Sequence, residues 1–464
     1  MQEHTLAYVA AGCGGSLEHG DPAQIVRRAC LDSREVQPGD LFVAIDGERF
    51  DGHDFLDEAV RRGAAALLVQ RRKVCLARSD CALIAVRNTR RALGKLAARH
   101  RRDFNLPVVA VAGSNGKTTT KELIAAVLRQ RFETLQSEGS FNNDIGVPLT
   151  LLKLEPRHQA AVLEAGTNHA GELAPLLRMI QPRLGVITNI GREHLEFFGN
   201  VASVADEEGT LAELLPADGK LFIHGDSEWA EPVSRRCRAP VERVGFGNDN
   251  PWRVSDLELD ERGSNFAVHS PVAALNGRYR VNLLGRHQAI NALFALAVGA
   301  ELGLGREELR NGLADCHPPK MRLQLREING LRVLDDSYNA NADSMRAALQ
   351  TLKEFPCRGR RLAALGDMGE LGSHSAVAHG EVGRCAAESG VRQLFTIGRQ
   401  ASLMAAAARE GGLANVMEFS DVDQAALAIK AFAQPGDVLL LKASRSMRLE
   451  RVVDVLRGEY EKAS

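Results

Sequence analysis

Short runs of β-branched and small apolar residues alternate along this chain with stretches whose apolar positions recur every three or four residues. The first pattern predicts buried strands and the second predicts amphipathic helices. The two meet near residue 110: residues 108–111 read as a strand, and Leu123, Ile124, Val127 and Leu128 share one helical face. Residues 160–163 and 186–190 repeat the strand pattern, and an Ala-rich helix opens within residues 285–292. Towards the end, strands at 332–334, 362–365, 393–397 and 438–441 alternate with helical stretches. Near the start, residues 39–47 read as turn, strand and turn, followed by a helix through Ala59. Such alternation predicts an α/β chain with mostly parallel sheets.

A chain of 464 residues is too long for one core and fits about three domains. Leu106-Pro107 and Cys316-His317-Pro318-Pro319 are the breaks. They delimit a small N-terminal α/β domain (1–104), a central P-loop-type ATP-binding domain with a mostly parallel sheet (105–316) and a C-terminal Rossmann-like domain (317–464). The last lacks a Gly-x-Gly-x-x-Gly fingerprint.

Composition narrows the class. Apolar residues make up 45% and charged residues 25%, as in ordinary globular proteins. A net charge of −1 without a long basic stripe argues against nucleic acid as a partner. The eight cysteines, at 13, 30, 75, 81, 237, 316, 357 and 385, show no metal-finger spacing and read as reduced. Met-Gln-Glu-His is no signal peptide, and no apolar run is long enough to span a bilayer, so a cytoplasmic monomer is expected.

The chemistry begins at Gly113-Ser114-Asn115-Gly116-Lys117-Thr118-Thr119. Strand, small-residue turn and helix present free backbone N–H groups to a phosphate; Lys117 adds charge, and a threonine hydroxyl suits Mg²⁺. The usual earlier glycine is Val111 here. Glu164 ends one neighbouring strand and His194 follows another, so both should reach the rim that carries Thr118. Ser33 and Arg34 offer a hydroxyl and a forked guanidinium to an anion, or form a plain Asp-Ser-Arg turn. Asn142 and Asn143 lie in an amide-rich loop, and Asn291 either pairs with an adenine edge or satisfies backbone. Three further segments lie at strand ends: Lys320-Met321-Arg322, Asp335-Asp336-Ser337-Tyr338-Asn339-Ala340-Asn341 and Lys442-Ala443-Ser444-Arg445-Ser446.

Together these motifs resemble the Mur ligases over nearly the whole chain. Supporting segments are Asn142 to Gly146, His194-Leu195-Glu196-Phe197-Phe198-Gly199, Leu365 to Gly372 and, above all, Asp335 to Asn341. The resemblance implies an ATP- and Mg²⁺-dependent peptide ligase of peptidoglycan synthesis, with UDP-N-acetylmuramoyl-tripeptide and D-alanyl-D-alanine as substrates. Ser33 and Arg34 would contact the UDP end; the phosphate loop, Glu164 and His194 would hold ATP and Mg²⁺; Arg322 and Asp336 would serve the nucleotide. Asp335, Tyr338, Asn339 and Asn341 would meet the dipeptide, with Lys442, Ser444 and Arg445 on the same face. The catalytic set so implied is Lys117, Glu164, His194, Arg322 and Asp336.

Three positions depart from the family pattern: Gln288 after His287, Ala342 after Asn341, and Glu208 where a carbamylated lysine is usual. Glu208 either replaces the carbamate charge near a cation, joining Thr118, Glu164 and His194, or belongs with Asp206 and Glu207 to a solvated helix face. Rival readings are a folylpolyglutamate synthase-like ligase and a non-catalytic P-loop protein.

Overall fold

The computed structural model describes residues 2–47, 49–76 and 81–458, and the side chain of Cys75 lies outside the described part. Three main sheets follow one another along the chain. The first has five strands, in the order Ser16–His19, Ala82–Val86, Ala66–Gln70, Asp40–Val43 and Arg28–Cys30, all parallel except the first.

The nine-stranded second sheet is organised around Val108–Ala112. Every residue of that strand is buried, because helices cover both faces, and Val, Val, Ala, Val and Ala meet that demand without polar atoms. Ala160–Glu164 pairs with it on one side and Leu184–Ile187 on the other, both parallel, with Glu164 opposite Val111 and Ile187 opposite Ala112. Three strand ends therefore open on one edge, as the alternating pattern predicted. Lys117–Leu128 and Arg286–Glu301 pack together beneath this sheet through Leu123, Ile124, Val127, Leu293 and Leu296. Beyond the parallel part, Trp252–Asp260, Gly263–His269 and Gly277–Val281 add an antiparallel extension that the strand reading did not anticipate.

The third sheet has six strands, with Val438–Lys442 between Leu331–Asp335 and Arg361–Gly366, and only the edge strand Gln324–Ile328 runs antiparallel. The helix Thr89–Arg102 joins the first two units: Leu93, Leu96 and Ala97 share one core with Leu151, Leu154 and Leu176. There His100 Nε2 donates to the Leu154 carbonyl at 3.0 Å, and Arg101 to that of Ile180 at 3.0 Å.

One strand ends earlier than its apolar pattern suggests. Leu184–Ile187 stops before Thr188, whose hydroxyl donates to the Asn115 carbonyl at 2.6 Å as the chain turns around the phosphate loop. Cys13, Cys30, Cys237, Cys316, Cys357 and Cys385 are free thiols, and among the described residues no helix is long and apolar enough to cross a membrane.

Candidate functional site

A cleft of about 830 Å³ lies between the second and third sheets. Its floor is the loop from Gly113 to Gly116, with Gly113 at φ 115° and Gly116 at φ 83°. Both glycines are required by contact as well as conformation. A Cβ on Gly113 would lie 2.5 Å from Thr188 Oγ1, and one on Gly116 2.8 Å from Asn291 Oδ1. Backbone N–H groups of Ser114 and Asn115 donate to the carbonyl and side chain of Asn189 at 2.9 and 2.6 Å. The loop is thus fixed by its neighbour before any ligand arrives.

Lys117 begins the following helix and donates to the carbonyls of Gly113 and Ser114 and, at 3.2 Å, to Glu193 Oε2. Burial alone would lower its pKa, but Glu193, Glu208 and Glu164 outweigh burial and hold the ammonium above its ordinary value. Glu164 receives Asn142 Nδ2 on Oε1 at 2.9 Å, while its buried Oε2 has no hydrogen-bond partner. Asn115 Nδ2 is buried and unpartnered as well. An unmet buried polar atom costs about 1–3 kcal/mol, so these groups suit a polar ligand or cation. Thr118 Oγ1 accepts from Arg322 at 3.3 Å, and His194 Nδ1 lies 2.6 Å from Glu370 Oε2.

The facing wall comes from the third sheet. Lys442 donates to Asp336 at 2.6 Å and to the Asn339 carbonyl at 3.0 Å. Asn341 caps the next helix and donates to Asn115 Oδ1 at 2.9 Å, while the Tyr338 hydroxyl meets Ser140 at 2.6 Å. Arg322 lies over the Tyr338 ring, 4.3 Å from its centre. Ser444 accepts the Gly369 N–H at 2.6 Å, and Arg445 pairs with Glu450 at 2.8 Å at the cleft's edge. Thr119, Asn143 and Asn291 also line the cleft; Asn143 Oδ1 accepts from Ile145 and Gly146 in a local turn. The same helix start carries His287, whose pKa burial pushes down to about 4.

Several expected residues stand elsewhere. Asp335 is buried behind the wall, paired with Arg326 at 3.0 Å and accepting from Ser337 at 2.6 Å, so it does not line the cleft. Ser33 and Arg34 lie in the first unit outside this cleft: Ser33 donates to Glu58 at 2.7 Å, and the exposed Arg34 folds onto Asp32 at 2.6 Å. Of the acidic triplet, only Asp206 belongs to a solvated face. Glu207 accepts the N–H groups of Gly171 and Leu173, and the fully buried Glu208 accepts that of Gly113 at 2.7 Å. Burial pushes Glu208 up to about 8 against the pull of Lys117, with Glu193 raising it further. Glu208 therefore sits beneath the loop and does not line the cleft, and Glu164, His194 and Glu208 do not gather within 4.8 Å of one another. The one described group that does is His4, His100 and Asp103, where His4 Nε2 bonds directly to His100 Nδ1 at 2.8 Å.

The cleft also takes in residues not singled out beforehand. Glu193 is one, although its place beside His194 on a strand exit was a usable signal. Arg286 stacked 4.8 Å over Phe246, and His224 near Asp226, are others whose sequence surroundings carry no pattern.

Comparison with known proteins adds three family matches: the Mur ligase family catalytic domain over residues 27–101, the Mur ligase middle domain over 111–299, and the Mur ligase glutamate ligase domain over 321–445. The chain is 38% identical to the UDP-N-acetylmuramoyl-tripeptide–D-alanyl-D-alanine ligase of Escherichia coli, over 98% of each chain. A crystal structure of MurF from Acinetobacter baumannii superposes with a TM-score of 0.90 at 30% identity, covering 99% of both chains. The MurF ligase of Thermotoga maritima in complex with ADP follows with a TM-score of 0.82 at 28% identity, covering 95% of this chain and 99% of that one.

Proposed function

This chain belongs to the Mur ligase family, and we propose that it joins D-alanyl-D-alanine to UDP-N-acetylmuramoyl-tripeptide at the expense of ATP, using the cleft between its second and third sheets. The observation that carries this reading is the meeting of the phosphate loop, Glu164 and His194 with the Asp336-to-Asn341 loop across one cleft.

A carboxylate is a poor electrophile, and ATP overcomes this by converting it to an acyl phosphate. The N–H groups at the N-terminus of the helix Lys117–Leu128, together with the Lys117 ammonium, stabilise charge on the transferring phosphoryl group. Arg322 and Asp336 reach the nucleotide from the other side. Thr118, Glu164 and His194 would hold Mg²⁺, and their oxygen donors with one imidazole fit it, Glu164 Oε2 being buried without a partner. When bound there, Mg²⁺ would supply charge neutralisation for the transferring phosphoryl group. Tyr338, Asn339 and Asn341, with Lys442, Ser444 and Arg445 nearby, orient the dipeptide so that its amine attacks the acyl carbon and phosphate leaves.

In this reading residues 1–104 hold the UDP end through Ser33 and Arg34, residues 105–316 carry ATP and Asn142 and Asn143 flank the peptide acid, and residues 317–464 bring the amine. A cytoplasmic site of action is part of the same proposal, and a cleft complete within one chain supports a monomer. Glu208 acts as a buried support under Gly113. Phosphate release that requires both substrates is the expected result with purified protein. Release without the dipeptide would refute the assignment, and an unchanged Mg²⁺ requirement in Glu164→Ala would refute the cation site.

A further inference from the structure

The loop from Asn189 to His194 is fastened on two sides. On one side Asn189 and Gly191 bond to Ser114 and Asn115 of the phosphate loop. On the other side Arg192 reaches the third sheet's unit with its backbone and its whole guanidinium. Its N–H donates to Asp343 Oδ2 at 2.8 Å, Nε and Nη2 to Asp343 Oδ1 at 3.2 and 3.1 Å, and Nη1 to Glu381 Oε2 at 2.5 Å. Gly191 permits the approach, since a Cβ there would lie 2.6 Å from Asp343 Oδ2.

Asp343 stands in the first turn of the helix Ala342–Glu354, immediately after the Asp336-to-Asn341 loop, and Glu381 belongs to the separate helix Ser375–Glu388. One half-buried guanidinium thus joins two helices of the amine-bearing unit to the loop that carries Glu193 and His194. A forked, planar donor fixes angle as well as distance, which a lysine ammonium does not.

We propose that Arg192 is a positioning residue for the ligation step, setting the dipeptide loop against the phosphate loop through Asp343 and Glu381 so that the amine, and not water, meets the acyl phosphate. This rests on the reading of the cleft given above. Arg192 touches neither nucleotide loop carbonyls nor the candidate dipeptide contacts, and Asp343 keeps Arg346 at 2.9 Å when Arg192 is removed, so the fold should survive.

The test compares wild type, Arg192→Ala and Arg192→Lys for the KM of D-alanyl-D-alanine, phosphate released per peptide bond, and ADP affinity. Arg192→Ala should raise that KM about tenfold and release more than one phosphate per bond, with ADP binding within about twofold of wild type. Arg192→Lys should recover part of the loss, and Asp343→Asn added to Arg192→Ala should cost less than in the wild-type background. One phosphate per bond with an unchanged KM would overturn the proposal, as would an equal loss of ADP affinity. Failure of the parent reading would look different: wild-type protein itself would release no dipeptide-dependent phosphate.

Discussion

The floor and the facing wall of the cleft are both charged, but they are satisfied to different degrees. On the floor, buried polar atoms of Asn115 and Glu164 lack partners, and the side chains of Glu164, Glu193 and Glu208 surround the Lys117 ammonium. On the wall, Asp336 is held by Lys442 and Ser444 by Gly369, and just behind it Asp335 is held by Arg326. Unmet groups in a low-dielectric site interact strongly with whatever charge arrives, whereas a completed network is rigid and transmits position. In the proposed function the floor would serve the chemistry and the wall the placement of the amine.

The contrast is broken most directly at Lys117. Lys117→Ala should lower ATP-dependent ligation by about a thousandfold or more, measured as phosphate release, with far-ultraviolet circular dichroism unchanged. Ordinary turnover would mean that the floor's charge is not used. Behind the wall, Asp335→Ala should do the opposite: it removes the partner of a mostly buried Arg326 and costs about 3 kcal/mol of stability, read from urea unfolding, while the KM for the dipeptide stays within about twofold. A large change in KM with intact stability would move Asp335 into the site after all.

These two residues also mark what could be read in advance. The phosphate loop is a local signal, because the tight φ values fall on glycines spaced in sequence, and Glu164 and His194 follow from the rule that parallel strands open on one edge. Asp335 and Asp336 are indistinguishable by composition, yet adjacent residues at a strand end point to opposite sides, and only the pairing of Asp335 with Leu441 and Gln324 decides which meets the cleft. The triplet 206–208 poses the same problem on a helix: 100° per residue turns Asp206 to water and Glu208 under Gly113. The apolar pattern carries the strand at 186–190 too far, because Thr188 and Ile190 fit a strand while the polar partners of Thr188 and Asn189 lie distant in sequence.

A third environment, the joint between the first two units, sharpens the comparison through pH. His100 is held neutral there: burial pushes its pKa from 6.5 to about 4, and His4 beside it is lowered for the same reason. The unfolded chain takes up a proton near 6.5 and the native state near 4, so unfolding binds protons between those values and stability falls as pH drops through that window. The loss should reach about 2 kcal/mol by pH 4 after screening. His100→Gln, which keeps a donor for Leu154, should flatten that slope in urea midpoints; an unchanged slope would assign the acid sensitivity to other groups.

The smallest effect is expected at Arg34, which resembles the wall in being paired but differs in being exposed. Its guanidinium folds onto Asp32 in the same short turn, so substitution releases no buried partner and should leave the unfolding midpoint where it was. An exposed fork held by one carboxylate remains able to turn towards a diphosphate, because a phosphate oxygen competes well with a solvent-screened aspartate. Arg34→Ala should therefore weaken UDP binding about threefold in isothermal titration, more at low salt than at high salt, with ADP affinity unaffected. Equal affinity for UDP at both ionic strengths would leave the turn as scaffold and would require the UDP end to be held by other residues of the first unit.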